Sequence, residues 1–255
     1  MTRNIPAALF RYTWLNPKYP ESSFENIFKK NEIYSSLIKE LNDPFDCLPQ
    51  LNLTEISNGE IKNELIKAYD REKVDPQIRD AQIRFFEVVG LKQHLTYRYF
   101  LHVIPTFKNN RVFCLSETPT EYSMWVYYAH YFQGFCLEIK PDDSWKSPIL
   151  VPIEYKEQPC VFDLKQLTNP NFDTVPFVTI KSNHWSHEKE WRIFNHNSNN
   201  AEYIPLPGSG IACIYLGMGM SKEHKDKISN WVKESGKSIP IKLQKVNQKN
   251  EIYFE

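Results

Sequence analysis

Glycine is scarce in this chain, which contains only 8 glycines among 255 residues. A phosphate-cradling loop needs glycines at fixed positions, because its backbone turns tightly and approaches the phosphate closely. The nearest candidate is Gly217-Met218-Gly219, where Lys222 occupies the position of the third glycine in the dinucleotide-binding pattern. We therefore interpret this segment as a tight turn between a strand and a helix.

The chain also lacks an excess of charge of either sign. Lys plus Arg and Asp plus Glu number 31 each, so no global field draws the protein toward nucleic acid or an anionic membrane. The basic residues near Lys29 and over 222–227 alternate with acidic ones. That pattern is typical of solvated helix faces.

Paired cysteines and long apolar runs are absent from the sequence. The cysteines number five and none is spaced as C-x-x-C, which is typical of buried thiols in a reducing compartment. No apolar run approaches the ~18 residues of a membrane span, and the segment 1–6 lacks the apolar core of a signal peptide. We expect a cytoplasmic protein with no membrane partner.

The composition and the apolar pattern together predict a folded domain. Hydrophobic residues make up 41% and charged residues 24% of the chain, as in ordinary globular proteins. The length suits a single domain over 1–255. Ile78, Phe85, Val89 and Leu95 recur at helical spacing, which predicts a helical insertion at about 55–105.

The remaining segments alternate between short strands and a few helices. Because they show no regular βαβ alternation, we predict a mixed α+β fold. Helices are expected at about 22–30, 120–131 and 221–234. Strands are expected over 9–13, from 31, and over 112–115, 134–139, 149–155, 191–194, 211–216, 239–243 and 252–254.

The segment Glu188-Lys189-Glu190-Trp191-Arg192 combines two carboxylates with an arginine. If a strand begins at Glu190, alternation places Glu190 and Arg192 on one face and Trp191 on the other. This pattern has two interpretations. One is an ion pair on an exposed face, and the other is a carboxylate at a strand start beside a cleft.

Aromatic residues and a serine form a second candidate segment. Trp125 and Tyr128 are three residues apart and share one helix face, where they form either core or an aromatic wall for a flat ring. Ser116 ends the preceding predicted strand and points toward the start of this helix.

Two further groupings have local explanations. Asn42 and Asp46 flank a proline in a turn-forming segment, and they either fix the entry of a loop or brace a neighbouring site. His184 and His187 have metal-ligand side chains, but no second cluster supplies further ligands. We expect no metal site.

These segments resemble the bacterial family catalogued as domain of unknown function 2971. Thr13 stands where that family has an arginine, so Arg11 is expected to take its role. Tyr127 stands where a histidine is often found. The family's motifs correspond to Leu9-Phe10-Arg11-Tyr12, residues 42–46, Leu115-Ser116-Glu117, residues 124–129, residues 134–136, Lys181, Trp185 and residues 188–192.

The order of these motifs is also similar to that of ADP-ribosyltransferases, which implies a mainly antiparallel sheet core and NAD as substrate, without a metal. In that resemblance Glu190 is the catalytic residue, because a carboxylate aimed at the ribose stabilises the positive charge of the transition state. The implied cofactor-binding residues are Arg11, Tyr12, Ser116, Trp125 and Tyr128. The implied supporting residues are Asn42, Asp46, Lys181, Glu188 and Arg192.

The resemblance implies an NAD-dependent transferase or NAD glycohydrolase, with a bacterial toxin or a phage-defence effector as its setting. Its acceptor would be a protein or a nucleic acid, and a cognate antitoxin or another defence protein would be its partner. Two alternatives stay open. One is a metal-dependent nuclease using Asp46, Glu117, Glu188, Glu190 and Lys181, and the other is a non-catalytic nucleotide-binding sensor module.

Overall fold

The computed structural model describes residues 4–48, 50–145, 150–158, 160–162, 175–194, 202–208 and 210–255. Its strands are β1 (Leu9–Thr13), β2 (Glu32–Tyr34), β3 (Ser36–Leu37), β4 (Gln50–Leu51), β5 (Arg111–Ser116), β6 (Phe135–Ile139), β7 (Leu150–Pro152), β8 (Glu154–Lys156), β9 (Val161–Phe162), β10 (Ile180–Ser182), β11 (Glu190–Phe194), β12 (Tyr203–Pro205), β13 (Ile211–Leu216), β14 (Ile241–Val246) and β15 (Ile252–Phe254).

Helices interrupt the strands along the whole chain, so the predicted mixed α+β class is confirmed. The α-helices are α1 (Glu21–Lys29), α2 (Asn58–Arg71), α3 (Pro76–Val89), α4 (Leu91–Arg98), α5 (Ile104–Lys108), α6 (Tyr122–Tyr127), α7 (Val175–Thr179) and α8 (Lys222–Glu234). A π-helical segment spans Tyr99–Val103, and 3₁₀ turns span Ile38–Glu40, Asp143–Trp145 and Asn183–Glu188. Within the described ranges, no helix combines the length and apolar character that crossing a bilayer requires.

The chain divides into two compact units, and the single domain over 1–255 with an insertion at about 55–105 stays a prediction. The sheet unit comprises Met1–Ser36, Arg111–Ile153 and His184–Glu255. The helical unit comprises Leu37–Asn110 and Glu154–Asn183. Helices α2 to α5, from the segment predicted as an insertion, belong to the helical unit together with residues on both sides of that segment.

The sheet unit is built on an open sheet with the strand order β15-β14-β13-β6-β1-β5-β11-β7. Neighbouring strands along this path are antiparallel except β13 and β14, which are parallel. The predicted mainly antiparallel sheet is therefore confirmed. β1 lies near the middle of the sheet, between β6 and β5, so its side chains reach both interior faces.

Alternation along the strands gives the sheet two different faces. The α1 face carries Leu9 and Phe113 and packs against apolar residues of α1 and α8, including Phe28 and Trp231. The α6 face carries Tyr12, Cys136 and other residues that pack against Trp125 of α6. Successive strand residues point to opposite faces, so the position of a side chain in a strand decides which core it joins.

Two predicted elements have different bounds from those that the sequence pattern indicated. The helix predicted over 120–131 ends at Tyr127, because His130, Tyr131 and Phe132 all have positive φ angles that an α-helix does not allow. The strand predicted over 149–155 is divided into β7 and β8. Pro152 ends β7, since proline has no N–H to donate to a ladder.

The helical unit has its own apolar core, formed by residues of α2, α3 and α4. Ser57 and Glu60 begin α2 with a capping box, in which Ser57 Oγ accepts from the Glu60 amide and the Glu60 carboxylate accepts from the Ser57 amide. Such reciprocal bonds satisfy amides that have no partner inside the helix. The core residues include Ile61, Leu65, Tyr69, Ile83, Leu91 and Leu95.

His94 of α4 makes the stability of the helical unit sensitive to pH. Its ring stacks on Phe86 with 3.5 Å between centroids, and its Nε2 lies 2.7 Å from the Tyr69 hydroxyl. Burial, reinforced by the positive charge of Arg98, lowers the pKa of His94 from its ordinary value to about 4. The neutral ring is therefore the stable form in the folded protein.

We expect the free energy of unfolding to fall as the pH drops from about 6.5 toward 4, because the unfolded chain then binds a proton that folded His94 does not. Urea unfolding at about pH 7.5 and about pH 4.5 measures the effect. The His94→Gln variant keeps a hydrogen-bond acceptor but cannot titrate, and it should show a smaller difference between the two pH values. Equal differences for both proteins would contradict this role of His94.

Candidate functional site

A cavity of about 210 Å³ lies in the sheet unit, at the carboxyl end of β1. No Asp or Glu is among the described residues that line it. Most of its wall is aromatic or polar. The lining residues are Arg11, Tyr12, Thr13, Trp14, Asn16, Tyr19, Ser23, Phe24, Ile27, Ile33, Tyr34, Ser36, Tyr127 and Tyr128.

Arg11 brings a positive charge to this cavity. Its Nη1 donates to the carbonyl of Cys114 at 3.0 Å, and its guanidinium lies over the Phe113 ring, 5.1 Å from the centroid. These contacts fix the side chain without neutralising it. Because Arg11 forms no ion pair within the described part of the chain, it is suited to bind an anion.

Aromatic rings form the walls around that charge. Tyr19 and Tyr34 pack with their centroids 5.4 Å apart, and the guanidinium of Arg111 lies over the Tyr34 ring at 5.4 Å. Trp14 stacks on His130 at 4.1 Å with an angle of 12° between the rings. A cavity with aromatic walls and one free cation is suited to a ligand that carries both a flat ring and a negative group.

Tyr128 connects the cavity to a buried carboxylate. Its hydroxyl donates to Oε1 of Glu188 at 2.6 Å. Glu188 is only 1% exposed. Ser116 Oγ donates to the Glu188 backbone carbonyl at 2.7 Å. The structure thus brings Ser116, Tyr128 and Glu188 together, with Ser116 holding the backbone that carries the carboxylate.

Glu190 and Arg192 form a buried ion pair on β11. Nε and Nη2 of Arg192 donate to the two carboxylate oxygens of Glu190 at 2.6 and 3.0 Å. Both residues lie on the same side of the strand, as alternation predicted, but they are only 3% and 1% exposed rather than on an open face. Burial and the neighbouring Glu190 charge raise the pKa of Cys114, so that thiol stays protonated.

The predicted residues Arg11, Ser116 and Glu190 do not share one face of the sheet. Phe10 of β1 is paired with Ser116, which in turn is paired with Glu190, so these three side chains point to the α6 face. Arg11 follows Phe10 and contacts Phe113 on the α1 face. The cavity therefore receives Arg11 and Tyr128, while Glu190 is held by Arg192 on the other face.

Trp125 and Tyr12 contribute mainly to the core of the α6 face. Trp125 is fully buried, and its Nε1 donates to the carbonyl of Pro119 at 2.8 Å. Tyr12 packs edge-on against Trp125 and donates from its hydroxyl to the Thr118 carbonyl at 2.7 Å. Burial raises the pKa of Tyr12, so its hydroxyl remains a donor. Tyr12 also lines the cavity, whereas Trp125 does not.

The remaining supporting residues belong to the helical unit. Asp46 and Lys181 are both buried there, and their charged atoms lie 3.4 Å apart. Asn42 is exposed, in the turn that precedes Asp46. In the ranges that the structure describes, no three His, Cys, Asp or Glu side chains are close enough together to hold a metal ion.

The glycine turn before α8 has no amide left for a phosphate. The amides of Gly217 and Gly219 donate to the carbonyls of Gly134 and Phe132, and the Met218 amide donates to Gln244 Oε1. A Cβ atom on Gly217 would lie 2.1 Å from the Phe132 carbonyl oxygen. Glycine is therefore required here for close packing, in agreement with the interpretation of this segment as a tight turn.

The sequence did not reveal the aromatic residues that shape the cavity. Trp14 follows β1, Tyr19 precedes α1 and Tyr34 ends β2, so the three are scattered over twenty residues and share no period. Their only common signal is their position at the ends of elements, where side chains line clefts. Long-range packing brings them beside Arg11.

Family models, curated proteins and solved structures were compared with the chain, and none of them matches it. The similarity to family 2971 and to ADP-ribosyltransferases therefore stays a prediction drawn from short motifs. The function proposed below is therefore based on the geometry of the sheet unit.

Proposed function

We propose that the protein is an NAD-dependent enzyme of the ADP-ribosyltransferase-like type, a transferase or NAD glycohydrolase, with an ADP-ribosyltransferase-like fold in the sheet unit. The proposal is based on one observation: Arg11 has no ion pair among the described residues and lines a cavity whose walls are aromatic rings. A phosphate would bind its guanidinium, and a base would pack against the rings. Arg11, Tyr12 and Tyr128, all predicted to contact the cofactor, line this cavity.

The size of the cavity restricts which part of NAD it would enclose. Pockets that enclose drug-sized ligands measure ~300–1,000 Å³, and this cavity measures about 210 Å³. It would therefore hold one ring-bearing half of the dinucleotide and leave the other half outside. No metal is required for that binding mode, because the phosphate is bound by a guanidinium.

The structure offers two carboxylates for the catalytic role. Glu190 was predicted from the motif, but both of its oxygens accept from Arg192. Glu188 bonds to Tyr128, whose side chain lines the cavity. A negative charge one hydrogen bond from the ligand would stabilise the positive ribose that develops when the nicotinamide bond breaks. We therefore assign the catalytic charge to Glu188 and a structural role to Glu190.

Replacing Arg11 by glutamine should weaken NAD binding by about 10- to 150-fold, the equivalent of a charge-assisted hydrogen bond worth about 1.5–3 kcal/mol. Isothermal titration calorimetry with NAD measures the change. Arg84→Gln is the matched control, since Arg84 is an exposed arginine of the helical unit. Equal affinities for wild type and Arg11→Gln would remove Arg11 from the site.

Turnover is tested by incubating the wild-type protein with NAD labelled in the adenylate part. A glycohydrolase releases free ADP-ribose, whereas a transferase leaves the label on an added protein or nucleic acid. The proposal fails if NAD is neither bound nor consumed. Binding without consumption would favour the sensor module instead.

The sensor module is the second candidate, and a specific contact favours it. The bidentate bond with Arg192 holds the predicted catalytic carboxylate Glu190 away from any ligand. If catalysis requires Glu190, as the motif predicts, rather than Glu188, a domain that keeps the nucleotide cavity but neutralises Glu190 would bind NAD without catalysis. Binding of NAD with unchanged nucleotide after prolonged incubation would support this candidate.

A further inference from the structure

Exposed aromatic rings continue outward from the cavity. Tyr127 lines the cavity, is 60% exposed, and lies edge-on to Trp185 with 6.2 Å between centroids. On another side, Trp14 stacks on His130, which in turn lies 6.0 Å from the 68% exposed Tyr131. We call Tyr127, His130, Tyr131 and Trp185 the aromatic rim. Tyr127 and Tyr131 are exposed, whereas His130 and Trp185 are partly buried. Neighbouring exposed apolar side chains of this size mark binding surfaces.

The backbone that presents the rim is strained. His130, Tyr131 and Phe132 have φ angles of 46°, 52° and 66°, and none of the three is glycine. Each such residue costs on the order of 1–3 kcal/mol. The turn is held by bonds from the Tyr131 amide to the Val126 carbonyl and from the Gly134 amide to the Ala129 carbonyl. Strain of this kind occurs at ligand clamps, and here it directs a large ring into solvent.

Positive charge accompanies the rings, although the chain as a whole is neutral. Arg11 lines the cavity, Arg111 lies over Tyr34, and the backbone amide of Lys18 donates to the cavity residue Asn16. Lys189 is exposed beside Glu188, which bonds Tyr128. None of these four cations forms an ion pair within the described residues. Acidic side chains also lie on the elements around the cavity, with Glu21 in α1 and Glu121 at the start of α6. The four cations without ion pairs are therefore the groups that would bind the phosphates of a ligand.

We infer that the aromatic rim binds single-stranded nucleic acid and that this strand is the acceptor of the ADP-ribosyl group. Rings that accept stacked bases, combined with nearby cations for the phosphates, are how proteins bind single strands without sequence preference. A duplex hides the base faces, so it cannot use the rings. The acceptor role rests on the proposed function, whereas the binding does not.

The transfer itself balances without a further reactant. The bond between C1′ of the ribose and the nicotinamide nitrogen breaks, and nicotinamide leaves as a neutral molecule. An amine or ring nitrogen of the base forms the new bond to C1′. The proton that the base loses passes to the Tyr128 hydroxyl, as that hydroxyl gives its own proton to Glu188.

Binding is measured by fluorescence anisotropy with a labelled single strand of about 12 nucleotides, in the absence of NAD. We expect saturable binding that weakens with salt and is at least tenfold tighter than for the matching duplex. Tyr127→Ala and Tyr131→Ala should each weaken it by about 5- to 150-fold, the effect of losing one stacked base. Tyr131→Phe retains the ring and should retain the affinity.

Tyr97→Ala is the matched control, because Tyr97 is equally exposed but belongs to the helical unit. The inference is overturned if the single strand does not bind, if the duplex binds equally well, or if the tyrosine variants bind as wild type does. It is also overturned if labelled NAD modifies added protein while oligonucleotides neither bind nor become labelled. If the single strand binds but NAD is not consumed, the aromatic rim is confirmed as a binding surface and the proposed enzymatic function is refuted.

Discussion

Replacing Arg192 by methionine is expected to lower the free energy of unfolding by about 3–5 kcal/mol. The change leaves the Glu190 carboxylate buried without the guanidinium that binds both of its oxygens. A buried carboxylate that loses its guanidinium partner keeps the cost of lost hydration and loses the attraction that offset it. Urea unfolding followed by circular dichroism measures the loss.

The double variant Glu190→Leu with Arg192→Met is the control for this prediction. It removes both charges together, so no buried carboxylate remains without its guanidinium, and it should be considerably more stable than Arg192→Met alone. A loss below about 1 kcal/mol for Arg192→Met would indicate that Glu190 reaches solvent or another cation. The result also decides how a Glu190 variant is interpreted, because lost activity there could reflect lost folding.

Replacing Glu188 by glutamine is expected to lower NAD turnover by about 10²- to 10⁴-fold, the usual effect of removing a positioned catalytic carboxylate. Glutamine has nearly the same shape and can still accept a hydrogen bond from Tyr128, but it carries no negative charge. The change should therefore lower kcat and leave KM for NAD within about threefold, since the ground state gains little from that charge. Steady-state kinetics with labelled NAD separates the two constants.

The comparison with Glu190→Gln distinguishes the two carboxylates. If Glu188 carries the catalytic charge, Glu188→Gln should lose more activity than Glu190→Gln does among molecules that remain folded. Glu223→Gln, at an exposed position of α8, is the surface control and should turn over NAD as wild type does. A greater loss in Glu190→Gln, with its folding intact, would return the catalytic role to the residue that the motif predicted.

Several features of the fold followed from local sequence alone. The mixed α+β class was predictable because strands such as β5, β6 and β13 are short apolar runs and helices such as α1 and α8 have one apolar face. Both are properties of neighbouring residues. The placement of Glu190 and Arg192 on one side of β11 was predictable for the same reason, since strand alternation needs no tertiary contact. The glycine turn before α8 was also interpreted correctly from the missing third glycine.

Other features depended on which strands are neighbours. Arg11 and Ser116 are far apart in sequence, and their positions on opposite faces follow from the register that pairs Phe10 with Ser116. The cavity needs Tyr19, Tyr34 and Tyr128, which come from three separate parts of the chain. No local sequence pattern specifies that these tyrosines lie close together, because long-range packing of the sheet brings them to the cavity.

The scarcity of glycine and the balance of charge are properties of the sequence alone, and they argued against a phosphate loop. The motif around Glu190 left two interpretations open, an ion pair and a carboxylate beside a cleft. Long-range packing alone settles three further features: Glu190 is paired with Arg192, Glu188 is connected to the cavity through Tyr128, and Arg11 lies among aromatic rings. The physical reason is that burial and pairing are properties of a residue's surroundings. Those surroundings come from parts of the chain that are distant in sequence.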